Sequence, residues 1–219
     1  MLTSDILSGW IAWAQPLLQP WWTAWGVPVS YLEAVAFVMS LWMVACNLRV
    51  NPLGWPLAIG SSVLYGILFA HYGLYGEAGL QGVFVAMAFW GWWQWLRGVD
   101  AQNQTLKVRS LSMRGRWAGL LALLILWPLL GWLLDHITDS TVPYGDALPT
   151  AGSLIGQWLL GRKWVENWPC WLAVNLVSMA LFAYKELWLT VILYGIFAAL
   201  SLLGWQQWLS LAAHGKARA

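Results

Sequence analysis

A segment of this chain occurs twice at a fixed offset of 113 residues, and this repetition constrains the fold more than any other feature. Gly82-Val83-Phe84-Val85-Ala86, followed by Gly91-Trp92-Trp93-Gln94-Trp95, returns as Gly195-Ile196-Phe197-Ala198-Ala199, followed by Gly204-Trp205-Gln206-Gln207-Trp208. Trp55-Pro56 returns as Trp168-Pro169, and Phe69-Ala70 as Phe182-Ala183. Tyr31, Glu33 and Ala34 return as Tyr144, Asp146 and Ala147. Collinear matches at one shift argue for an internal duplication. Duplicated apolar units are the usual architecture of transporters.

The chain is too apolar for water. Only 9% of its residues are charged, against 60% hydrophobic, and its mean hydropathy is +0.61. A soluble domain carries roughly 25% charged residues. The lipid bilayer is therefore the expected solvent. A net charge of +2 is too small to suggest nucleic-acid binding. Two cysteines, Cys46 and Cys170, make no disulfide framework and read as free thiols. The N-terminus lacks the basic region and cleavage site of a signal peptide, so no processing is expected.

A helix crosses the hydrocarbon core with about 20 apolar residues. Seven stretches qualify: 29–48, 54–73, 77–97, 117–135, 145–161, 167–185 and 187–209. The preceding segment 5–26 is rich in Trp and Leu, but Pro16 and Pro20 interrupt any long helix there. It is expected to lie in the membrane interface. The one real linker is 98–116. Ten of the eleven basic residues fall on one side of these spans, namely Arg49, Arg97, Lys107, Arg109, Arg114, Arg116, Arg162, Lys163, Lys216 and Arg218; only Lys185 falls on the other. Cytoplasmic loops carry the positive excess. The N-terminus is thus expected outside and the C-terminus in the cytoplasm. Three spans make each repeat, and the unmatched fourth returns the chain so that both repeats run the same way. The expected fold is an all-α integral membrane protein of 3+1+3 form. Its parts are an interfacial segment 1–27, a first repeat 28–97, a loop and linker helix 98–140, and a second repeat with tail 141–219.

No catalytic constellation stands out, and neither a metal nor a cofactor is expected. His71, His136 and His214 have no carboxylate or cysteine at ligand spacing. There is no Walker-type phosphate loop. The carboxylates nearest the spans, Glu33, Asp146 and Glu166, sit at span ends, which favours passive transport over ion coupling. A small solute lacks two-fold symmetry, so its contacts should fall where the repeats differ. Gln157 aligns with Val44, Asn47 with Leu160, Asn175 with Ser62, and Gln81 with Tyr194. These are the candidate polar contacts, with helix–helix amide bonding the competing role for each. Of the 21 tryptophans, most lie near span ends and suit the interfacial belt. Trp42, Trp90 and Trp171 lie within spans and could present a ring face to a flat or cationic solute.

The run Arg162-Lys163-Trp164-Val165-Glu166-Asn167-Trp168-Pro169-Cys170-Trp171, with Asn175 one turn later, resembles the signature of the PnuC family of nicotinamide riboside transporters. Trp90-Gly91-Trp92-Trp93-Gln94-Trp95 is similar to that family too, and the likeness covers residues 29–210. The resemblance implies a SWEET-like fold, a homotrimer in the bacterial cytoplasmic membrane, and facilitated diffusion of nicotinamide riboside. A cytoplasmic riboside kinase would trap the solute by phosphorylation. It adds Asn167 and Trp168 to the candidate contacts. The alternatives are a SWEET-like sugar carrier and a carrier of another vitamin, thiamine or riboflavin.

Overall fold

The computed structural model describes residues 16–24, 27–71, 75–100, 103–137, 142–184 and 188–217. Among them are two short strands, β1 (Pro20–Ala24) and β2 (Val27–Ser30), and seven long helices. The helices are α1 (Tyr31–Leu48), α2 (Gly54–His71), α3 (Tyr75–Arg97), α4 (Met113–Ile137), α5 (Pro143–Gly161), α6 (Asn167–Tyr184) and α7 (Trp188–Ala217). They match the seven apolar stretches in order, although α4 begins at Met113, inside the expected 98–116 linker, and α7 runs on to Ala217, past the expected end at 209. Three of them, α1, α4 and the Val191–His214 part of α7, are long and apolar enough to cross a membrane by length and composition alone. The other four are diluted by Trp, Gly and amide side chains.

The duplication is visible in the helix limits. Shifting α2 by 113 residues reproduces the limits of α6, and shifting Tyr75–Arg97 places its start at Trp188, where α7 begins. The two non-glycine residues that turn α1 and α5 outward are also equivalent. Val50 has φ 54° and Lys163 has φ 56°, both in the left-handed region that usually calls for Gly or Asn at a helix end.

The chain forms two compact units. The first contains the described parts of Met1–Cys46 and Leu53–Phe89. Part of the expected interfacial segment proves to be a hairpin: β1 pairs antiparallel with β2, Trp22 opposite Val29 and Ala24 opposite Val27. Pro20 and Pro28 fit because each strand here has a free edge. Val29 and Ser30, expected in the first span, belong to β2. Ser30 ends the strand and starts the helix, its Oγ accepting the Glu33 N–H at 3.2 Å. That Ser-x-x-Glu spacing is a capping box, which fixes where α1 begins. Leu18, Leu32 and Leu68 are buried together against Leu64, Tyr65 and Ile67.

The second unit contains Asn47–Pro52 and Trp90–Ala219. In it α4 packs on α5, α5 on α6, and α6 on α7. Small residues bring these helices close: Gly131 of α4 lies against the Tyr144 ring, Gly152 of α5 against Val174, and Gly204 of α7 against the Trp168 ring. Helix association in lipid relies on such close approach. The outer side of α4 is bare hydrocarbon, with Leu121, Leu124, Ile125 and Leu129 all exposed. An apolar face of that length is stable in lipid, not in water.

Candidate functional site

The site grows from the break between α5 and α6. The last carbonyls of α5 are closed by the chain itself: Arg162 N–H donates to Trp158 O at 3.2 Å, Lys163 N–H to Leu160 O at 3.0 Å, and Trp164 N–H to Leu159 O at 3.0 Å. Lys163, outside the helices, is half-buried. Burial pushes its ammonium below the usual lysine range. It nonetheless lies 5.1 Å from the Trp95 ring centroid and donates to Leu106 O at 3.1 Å.

After this turn, α6 presents one polar and aromatic stripe. Asn167, Trp168, Trp171, Asn175 and Ser178 recur at the three- and four-residue spacing of a single helix face. Asn167 is fully buried; its Nδ2 donates to Trp164 O at 2.6 Å, and its Oδ1 has no partner. The Trp168 indole is 3% exposed, edge-on to the Trp208 ring at 5.7 Å, with its Nε1 also unpartnered. The Trp171 ring lies over Gly156, whose neighbour Gln157 is buried. Asn175 is buried and donates from Nδ2 to Ser201 Oγ at 3.3 Å, while the Ser201 hydroxyl donates to Phe197 O. Two turns before Ser201, Tyr194 packs against Phe182 at 5.1 Å and Phe197 at 6.2 Å. α6 holds no Asp, Glu, Lys, Arg or His. The stripe can stack a flat ring and bond amides or hydroxyls, but it offers no proton-carrying side chain with an ordinary pKa near neutrality.

Of the ten sequence candidates, eight belong to the second unit: Gln157, Asn175, Trp90, Trp171, Asn47, Tyr194, Asn167 and Trp168. Asn47 is buried at the end of α1 with its side-chain Oδ1 unpartnered, while its backbone carbonyl accepts the Trp208 Nε1–H at 3.1 Å. The Trp90 ring packs on Gly161, which leaves no room for a Cβ there. The other two candidates lie in the first unit. Gln81 packs beside Gly66 of α2. Trp42 is 60% exposed on α1.

Four contributors were missed by sequence reasoning: Ser201, Gly204, Trp95 and Trp208. Ser201 aligns with Ala88, so the asymmetry rule could have found it. Trp95 and Trp208 match across the repeats and perform matching tasks. Trp95 Nε1 donates to Leu160 O at 3.0 Å, and Trp208 Nε1 donates to Asn47 O. Leu160 and Asn47 are themselves equivalent positions, so each repeat's third-helix indole closes the end of the other repeat's first helix. Both bonds lie inside the second unit, where the two rings are 6.2 Å apart. Among the described residues, no group of three or more His, Cys, Asp or Glu side chains could hold a metal. Cys46 and Cys170 form no disulfide.

Comparison with known proteins places this geometry. Residues 30–210 match the model of the nicotinamide mononucleotide transporter family. The chain is 30% identical over 192 residues to the riboflavin/roseoflavin transporter RibM of Streptomyces davaonensis, covering 82% of this chain and 85% of that one. It is 24% identical over 220 residues to the nicotinamide riboside transporter PnuC of Escherichia coli, covering 90% and 92%. The crystal structure of the vitamin B3 transporter PnuC matches the fold with a TM-score of 0.69 at 22% identity, over 84% of this chain and 83% of that one. The chain belongs to the nicotinamide mononucleotide transporter family, that of the PnuC proteins, and is a multi-pass membrane transporter rather than an enzyme.

Proposed function

We propose that this chain takes up nicotinamide riboside by facilitated diffusion, through seven spans in a 3+1+3 arrangement of SWEET-like form. The observation that carries the reading is the α6 stripe. Asn167 Oδ1 and Trp168 Nε1 are buried without partners, a costly state unless a ligand or water meets them. A pyridinium ring stacks on the Trp168 or Trp171 face, and its carboxamide and ribose hydroxyls bond to Asn167, Asn175 and Gln157. With no charged group on the stripe, transport equilibrates the solute without coupling to protons or sodium. The relatives named for nicotinamide riboside support the substrate. A cytoplasmic riboside kinase is then the functional partner that traps it, and the family resemblance extends the reading to a homotrimer.

A second reading has its own support: the relative named for riboflavin is the more similar in sequence, at 30% against 24% identity. Riboflavin is also a flat ring with a hydroxylated chain. Isothermal titration of the purified protein with nicotinamide riboside, riboflavin, thiamine and glucose separates these. Saturable binding of the riboside alone is expected. Tighter binding of riboflavin would replace the substrate, and binding of glucose would overturn the stacking argument.

The basic asymmetry supports an outside N-terminus and a cytoplasmic C-terminus. Single cysteines in 98–116 should escape impermeant labels in intact cells and react after permeabilisation. Labelling of intact cells would reverse the orientation.

A further inference from the structure

Glu166 belongs to the signature run, yet its carboxylate is committed to the linker at Leu111 and to the first turn of α4 at Arg116. Its Oε2 accepts the Leu111 N–H at 2.9 Å, and its Oε1 accepts Arg116 Nε at 3.1 Å and an Arg116 terminal nitrogen at 2.9 Å. Its side chain is only 15% exposed. The linker is thus a strap rather than a free loop. Near its start the Asp100 Oδ1 accepts the Gln104 N–H at 3.0 Å. The strap then runs beside the α5–α6 turn: Arg109 N–H donates to Lys163 O at 3.2 Å, and Val165 N–H donates to Arg109 O at 3.0 Å. The Arg109 guanidinium lies 4.2 Å over the Trp164 ring. Every residue from 163 to 166 is therefore held by the strap.

Those residues carry the first turn of α6. Asn167 N–H donates to Trp164 O, and Trp168 N–H donates to Val165 O, both at 3.1 Å. In the first repeat the position of Glu166 is Leu53, which carries no carboxylate and is exposed. Ionised hydrogen-bond partners are roughly twice as strong as neutral ones, and a forked guanidinium fixes direction as well as distance.

We infer that Glu166 and Arg116 are positioning residues: by clamping the 106–116 strap to the α5–α6 turn, they set where α6 presents Asn167 and Trp168 to the solute. This rests on the proposal that those two residues belong to the binding site.

The test uses the full-length protein in a Cys46→Ala background, so that Cys170, one turn into α6, reports on that turn without any ligand. Two quantities are measured: the rate of Cys170 alkylation by N-ethylmaleimide, and the Kd for nicotinamide riboside. Arg116→Gln and Glu166→Gln should each speed alkylation and raise the Kd about three- to tenfold. Arg116→Lys, which keeps the charge but loses the fork, should fall between parent and Arg116→Gln and serves where the others fold poorly. The exchanged pair Arg116→Glu with Glu166→Arg should recover part of both losses. Parental alkylation rates in the single variants would overturn the clamp. Faster alkylation with an unchanged Kd would overturn the positioning role. If the parent itself binds no riboside, the substrate reading fails, and the alkylation rates alone then decide whether the clamp exists.

Discussion

α2 and α6 are two copies of one helix, and they differ where chemistry is needed. Both begin with a buried tryptophan followed by proline, Trp55-Pro56 and Trp168-Pro169, and both run for 18 residues. Around that shared start, Leu53 is replaced by Glu166, Gly54 by Asn167, Ala58 by Trp171 and Ser62 by Asn175. The second copy gains a clamped carboxylate, two amides and an indole. The same contrast holds between α1 and α5, where Val44 gives way to Gln157. Matching positions build the frame; at differing positions the amide falls in the second copy at Gln157, Asn167 and Asn175, and in the first at Asn47 and Gln81. That is how a duplicated protein can bind a solute that has no symmetry of its own.

The comparison breaks most visibly at the two tryptophans. A desolvated cation–π contact is worth about 2 kcal/mol, roughly 30-fold in affinity. Trp168→Leu should therefore weaken riboside binding by about that factor, while Trp55→Leu lowers the melting temperature but leaves the Kd of the folded fraction within about twofold. Equal losses of affinity would mean that both copies touch the solute. Gly204 gives the next effect. A Cβ there collides with the Trp168 ring, and overpacking costs about 1–3 kcal/mol. Gly204→Val should lower thermal stability and affinity together, whereas Gly82→Ala, inside α3 with nothing within 4 Å, should leave affinity unchanged and raise stability by about 0.5–1 kcal/mol. Asn175→Leu removes the bond to Ser201 and, with it, the amide proposed to meet the solute; losing one hydrogen bond to a neutral ligand group costs about 0.5–1.5 kcal/mol, so a three- to tenfold rise in Kd is expected, against no change for Ser62→Leu. The smallest expected difference is between Trp95→Phe and Trp208→Phe. Each loses an indole bond to an equivalent carbonyl, so their stability losses, about 1 kcal/mol each, should agree. A large disparity in calorimetric unfolding would show that the matching bonds do unequal work.

Much of this was legible in the sequence. Apolar stretches marked the seven helices, three of which are long and apolar enough on their own to cross a bilayer. The offset of 113 aligned them, but the first span was expected from 29, two residues early, because apolarity alone does not mark the Ser30–Glu33 cap that starts α1. The hairpin at 20–30 was hidden, since its prolines signal only what cannot be helical. The strap was hidden too: its hold depends on backbone pairing between Arg109 and the 163–165 turn, and hydropathy carries no trace of such pairing. For the site, repeat asymmetry picked out Gln157, Asn175 and Asn47, all of which are buried. It could have added Ser201, where the matching residue is Ala88. A position within a span says nothing of which way a ring faces, which is why Trp42 was chosen and proves exposed.

The central claim is that α6, not its twin α2, carries the solute. A crystal structure of the protein with nicotinamide riboside tests it most directly. The pyridinium ring should lie against Trp168 or Trp171, with its carboxamide or ribose within hydrogen-bonding distance of Asn167, Asn175 or Gln157. A riboside seated on Trp55 and Ser62 instead, with the α6 amides still bonded only to protein, would contradict it.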